Sequence, residues 1–97
     1  MIDISLLMTI EKLNKHTDKL HKIIANNVVR YRKLKGYTQL QLALDIGLTG
    51  NAFIARAEKG INNNHFNIDH LSKISKVLDV PICEFFKDVD ELKKKKK

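Results

Sequence analysis

At 97 residues and 11.2 kDa, the chain has room for one domain with a modest core and little volume for a deep catalytic cleft. Hydrophobic residues at 43% and charged residues at 30% give an ordinary globular composition and exclude a disordered one. Eighteen Lys+Arg against eleven Asp+Glu leave a net +7, which predicts an anionic partner, and the single Cys83 excludes an intrachain disulfide and a small stapled secreted scaffold.

Taken in order, the elements read as helices almost throughout; no stretch alternates cleanly over a strand length. Residues 3–16 carry Leu6, Ile10 and Leu13 at helical spacing, with Asp3 as a start signal. This opening has early acids and no small-residue cleavage site, so it does not read as a signal peptide. Leu20, Ile24, Val28 and Tyr31 continue a similar stripe up to Gly36, a C-terminal stop preceded by Lys33 and Lys35 near the negative end of the helix dipole. The pattern fits one long helix or two, with Thr17 and Asp18 available to start the second. Thr38 caps a short helix through Ile46, whose inward face is Leu42, Ala43 and Ile46, and Gly47 ends it. Residues 51–59 form another short helix, with Phe53, Ile54 and Ala57 apolar and Gly60 as its stop. A polar loop at 61–66 follows. Asn67 caps the next helix, which buries Leu71, Ile74 and Leu78, and Pro81 suits the first position of a final helix with Ile82, Phe85 and Phe86.

Charge is unevenly placed. Residues 23–66 carry six basic and two acidic residues, residues 67–92 carry three and six, and Lys93–Lys97 add five more. An anion-binding middle segment backed by an acidic or neutral face produces that pattern; a solvated charge pattern is the plainer alternative. The terminal lysines form a low-complexity run that repels itself. It serves nonspecific nucleic-acid binding or only solubility. No apolar run approaches the roughly 20 residues needed to span a bilayer, and a lone cysteine suits a reducing, cytoplasmic setting.

The informative stretch is Thr38–Gly60, two short helices joined by a tight turn at Gly47, with the small Ala43 where they must cross. This is the helix-turn-helix pattern, in which the second helix stands out to enter a major groove about 12 Å wide. From Ile24 to Phe86 the chain then resembles the phage-repressor/Cro (XRE-like) helix-turn-helix regulators. The resemblance is carried by Arg32 to Gln39 (RKLKGYTQ), Leu42–Ala43, Ile46–Gly47–Leu48, Ile54 to Gly60 (IARAEKG) and Leu71 to Phe86 (LSKISKVLDVPICEFF). Each fragment is weak alone; the ordered set is specific.

The resemblance implies an all-α, five-helix, lambda-repressor-like DNA-binding domain, here with an extra N-terminal helix. It divides the chain into a helical extension (1–20), the DNA-binding domain (21–88, motif 38–60) and a basic tail (89–97). It also implies roles. Gln39 contacts DNA backbone or base edges. Arg32 and Glu58 form a structural salt bridge. Arg56 faces DNA from the recognition helix, with Asn51 and Ala52 on its first turn. Thr49 caps that helix or touches phosphate. Lys59, Asn62, Asn63 and Asn64 approach the backbone. Between Gly47 and Gly60 the chain is one residue longer than the family pattern, so Thr49, Gly50, Asn51 and Ala52 are aligned only to within one position. The start of the recognition helix is poor in long polar side chains, which shifts weight toward shape readout.

Plainer readings stand beside these. Arg56 as a solvated arginine, Gln39 as a helix-start polar residue and Asn62–Asn64 as turn chemistry are the structural alternatives. His16, His21, His65 and His70 lack metal-ligand spacing, so neither metal nor cofactor is expected. Cys83, beside Ile82 and Phe85, reads as a small core residue. Leu40 and Leu44 leave an apolar strip on the first motif helix, and Leu6, Ile10 and Leu13 are expected to cover it, from the same chain or a partner. The expected function is a non-enzymatic, sequence-specific regulator, a dimeric repressor on double-stranded DNA, with Ile82, Phe85 and Phe86 either pairing or completing the core. The alternative is an interaction module, such as an antitoxin, that keeps the fold with weak or no DNA binding. An RNA-binding module lacks interleaved stacking aromatics.

Overall fold

The computed structural model describes residues 3–90, without the Asn62 side chain; the lysine run Lys93–Lys97 lies outside the described residues. The chain opens on one long helix, α1 (Ile4–Leu34), capped by Asp3, whose carboxylate accepts from Ser5 N–H. The extension and the first core helix are therefore one element. No Gly or Pro interrupts residues 4–34, and Thr17, a possible second start, instead donates its hydroxyl to the Leu13 carbonyl one turn back (3.1 Å). At 31 residues and about 1.5 Å per residue, α1 accounts for the molecule's longest dimension of 47 Å.

Three further helices follow: α2 (Gln39–Asp45), α3 (Ala52–Lys59) and α4 (Ile68–Leu78). Their ends follow local chemistry. Thr38 and Gln41 form a capping box at α2, and Asn67 and His70 form one at α4. Gly47 adopts φ +93, letting its N–H reach Leu44 and that of Leu48 reach the Ala43 carbonyl (2.9 Å), which closes α2 and turns the chain toward α3.

The expected polar loop contains a short 3-10 helix, Ile61–Asn63, and the expected last α-helix is a second one, Ile82–Phe86. The described residues thus hold four α-helices and two 3-10 helices, consistent with a lambda-repressor-like all-α domain. The last segment cannot run on as an α-helix, because buried Asn27 of α1 ties down the carbonyls of Phe85 (3.0 Å) and Lys87 (2.9 Å) through one amide nitrogen.

The core gathers Val28 of α1, Leu42 and Ala43 of α2, Ile54 and Ala57 of α3, Leu71, Ile74 and Leu78 of α4, and Phe85. Phe85 is fully buried and completes the core, so it is unavailable for pairing. Cys83 is exposed, contrary to the expectation of a core residue. Leu6, Ile10, Leu13, Leu40 and Leu44 are all exposed. The N-terminal segment does not fold back over α2 in its own chain, because an unbroken helix carries it away from the domain. No helix among the described residues is long and apolar enough to cross a membrane.

Candidate nucleic-acid interface

The α2–α3 pair is braced from behind. Arg32 of α1 donates from Nε to Glu58 Oε2 (2.6 Å), from Nη2 to Glu58 Oε1 (3.1 Å) and from Nη1 to the Tyr37 carbonyl (2.8 Å). The guanidinium thereby fastens α3 to α1 and to the turn before α2. Gln39, the first residue of α2, donates its amide to Glu58 Oε1 (2.8 Å). One buried carboxylate thus ties together α1 and both helices of the motif.

That bracing decides which face of α3 looks outward. Ile54 and Ala57 are buried and Phe53 packs on the core edge-to-face against Phe66. Ala52, Arg56 and Lys59, at i, i+4 and i+7, are exposed along the opposite side, with Asn51 just before them. The only acid on α3, Glu58, is turned inward and neutralised by Arg32. The outward face therefore presents positive charge and a small first turn.

Thr49, Gly50 and Asn51 form bends, and Asn51 takes the N-cap position of α3 without a side-chain cap hydrogen bond. The expected capping by Thr49 is thus corrected: it sits two residues too early. Gly50 lies outside the positive-φ glycines. Beyond α3, Gly60 (φ +70) turns the chain into Ile61–Asn63. Asn63 is exposed at φ +59, and Asn64 donates its side-chain amide to the Ile61 carbonyl (2.8 Å), which is turn chemistry. Asn62 contributes its backbone to this 3-10 helix; its side chain lies outside the described residues.

A cleft of about 580 Å³ runs between α1 and this loop, with Lys19, Lys22 and Asn26 on one side and Lys59, Asn63 and His65 on the other. His21 and His65 stack across it, ring centres 3.8 Å apart and nearly parallel. Spacing within single helices hides this pair, which is brought together from α1 and the loop before α4. Partial burial and the neighbouring His65 lower the His21 pKa, opposed by Asp18. Burial likewise lowers that of His70, whose Nδ1 must stay unprotonated to accept the Asn67 N–H at 3.0 Å. Both histidines bind a proton less readily folded than unfolded, so acidification below the ordinary value of 6.5 favours the unfolded chain. The urea midpoint is expected to fall between pH 7.5 and 5.5. A His21→Gln/His70→Gln variant should lose part of that dependence; an unchanged pH profile in the variant rejects the assignment.

An exposed, basic second helix held against a short first helix across a glycine turn defines the helix-turn-helix class of DNA-binding domains. The helix-turn-helix family profile matches residues 28–85, and the chain belongs to that family, of the XRE/Cro/C1 type. The family is one of DNA-binding regulators, not enzymes. Over 56 residues the chain is 36% identical to the HTH-type transcriptional regulator SlrR of Bacillus subtilis (strain 168), a stretch covering 58% of this chain. It spans only 36% of that relative. No solved structure gives a significant match.

Proposed function

We propose that the chain is a sequence-specific transcriptional regulator that represses by occupying an operator as a homodimer. The observation that carries this reading is the exposed Ala52–Arg56–Lys59 face of α3, free of acids and held outward by the buried Arg32–Glu58 pair. The regulatory role in the name of SlrR supports it. Arg56 reads a base edge or grips phosphate at the centre of the contact. Asn51 and Ala52, with Thr49 and Gly50 beside them, meet the groove, and their small size lets the backbone approach closely. Gln39, Lys59, Asn62, Asn63 and Asn64 hold the DNA backbone at either end. The DNA-binding unit is residues 21–88, between the extension and the basic tail. One such helix offers few base contacts, so two copies on half-sites about one DNA turn apart supply the interface a specific site needs.

Selection of duplexes from a random pool, followed by a salt titration, tests the reading. One sequence family should be enriched, two chains should bind per duplex, and affinity should fall steeply with salt. Arg56→Ala is expected to weaken binding to the selected site about 10- to 100-fold, corresponding to about 1–3 kcal/mol, while the melting temperature stays put. Equal affinity of this variant removes Arg56 from the interface. Failure to enrich any sequence favours a protein-interaction module instead.

A further inference from the structure

Residues 4–22 of α1 carry four lysines, Lys12, Lys15, Lys19 and Lys22. Steps of three, four and three residues place them on one side of a continuous helix, within about 80° of arc and along about 15 Å of its length. All four are exposed, and among the described residues none lies within ion-pairing distance of an acid, unlike Lys73 and Lys87, which pair with Asp69 and Glu84. Glu11 and Asp18 border the stripe, one turn before Lys15 and Lys22 (i, i+4), without coming within ion-pairing distance of either.

The stripe has a definite neighbour. Its inner end, Lys19 and Lys22, lines the cleft together with Asp18, and the other wall holds Lys59, Asn63 and His65 with Glu58, whose charge is taken up by Arg32. The lysines therefore continue the basic surface at the end of α3, on the side of α1 that faces the loop after α3. An extended row of cations without ion-pair partners, leading away from a DNA-binding surface, matches a row of backbone phosphates.

We infer that residues 12–22 of α1, from the extension into the first core turn, are a second DNA contact, a phosphate-tracking rod that carries the footprint beyond the half-site met by α3. The inference rests on the DNA-binding reading above. It assigns Lys12, Lys15, Lys19 and Lys22 to duplex backbone flanking the operator, contributing affinity and no sequence preference.

The test compares the full chain with a Lys12→Gln/Lys15→Gln/Lys19→Gln/Lys22→Gln variant. These are exposed positions where Gln has nearly the helix propensity of Lys, so the fold is retained, as circular dichroism can verify. Fluorescence anisotropy measures affinity from 50 to 200 mM salt, on the selected duplex trimmed to its core site and on the same duplex with flanks of about one helical turn. Each lost phosphate contact lowers the log–log salt slope by about 0.9. Four lost contacts make the variant's decline across that range about a hundredfold smaller than the parent's. The parent should also gain affinity from the flanks while the variant does not. Equal salt slopes and an equal effect of the flanks in both proteins overturn the inference. If Arg56→Ala still loses selectivity in that case, the regulator reading survives alone; if the parent binds no duplex with salt-dependent affinity, both fall together.

Discussion

Glu58→Ala is expected to cost about 3–5 kcal/mol of folding stability, because it leaves a buried charge without its counter-ion. The Arg32 and Glu58 side chains retain 9% and 6% of their exposure, so water cannot replace the lost carboxylate without opening the motif. The guanidinium keeps only the Tyr37 carbonyl, and Gln39 loses its acceptor as well. Domains of this size have about 5–15 kcal/mol in total, so the loss is a large share, and a melting temperature lower by upwards of about 12 °C follows. Glu58→Gln should fall between parent and alanine, since it preserves shape and one acceptor oxygen but not the charge. Replacing both partners, Arg32→Met with Glu58→Leu, should recover much of the deficit, because the cost arises from the unpaired ion rather than from a large net gain of the pair. Urea denaturation of the four proteins decides this. A Glu58→Ala variant within about 1 kcal/mol of the parent would show that the pair is not a brace, and with it would go the account of why α3 faces outward.

How much of this was legible in the sequence depends on how local each cause is. Gly36, Gly47 and Gly60 mark helix ends because a left-handed residue is demanded at one position, and all three have positive φ. The caps at Thr38 and Asn67 are equally local; their partners Gln41 and His70 lie three residues on, at the spacing of a capping box. The apolar stripes of α2, α3 and α4 were readable for the same reason. The Arg32–Glu58 pair is different: 26 residues separate the partners, no local spacing marks them, and only the family resemblance pointed to it. The His21–His65 stack had no such guide. The N-terminal segment misled because its apolar residues predict burial somewhere without specifying where, and continuity of the helix backbone overrode that demand. The lysine stripe, by contrast, was visible as a three-four-three spacing, once those lysines are taken as positions on a helix and not only as charge.

Phe85→Ala is the other substitution with a large expected effect, about 3–5 kcal/mol from lost burial and the cavity left behind. Phe85 is fully buried, its ring meets Tyr31 edge-on with centres 6.1 Å apart, and its carbonyl is held by Asn27. The segment packs against α1 and α4, so the cavity would open where the two ends of the domain meet. Its neighbour supplies the contrast. In a 3-10 helix each residue advances about 120°, so Cys83, two positions earlier, points elsewhere, and it is exposed between Ile82 and Glu84. Cys83→Ala should therefore change stability by no more than about 0.5 kcal/mol. The thiol should also react with a small alkylating reagent in native buffer about as fast as in denaturant. Tyr31 donates its hydroxyl to Glu84 of the same segment, and that hydrogen bond, helped by Lys87, holds the Glu84 carboxyl below its ordinary pKa. Unfolding through loss of this closing segment should then grow easier as pH falls through the carboxylate range, lower than the histidine window. A Phe85→Ala domain as stable as the parent, or a Cys83 thiol protected until denaturant is added, would mean that the chain closes on a different face of Ile82–Phe86. Asn27 would then no longer be the residue that stops the last helix.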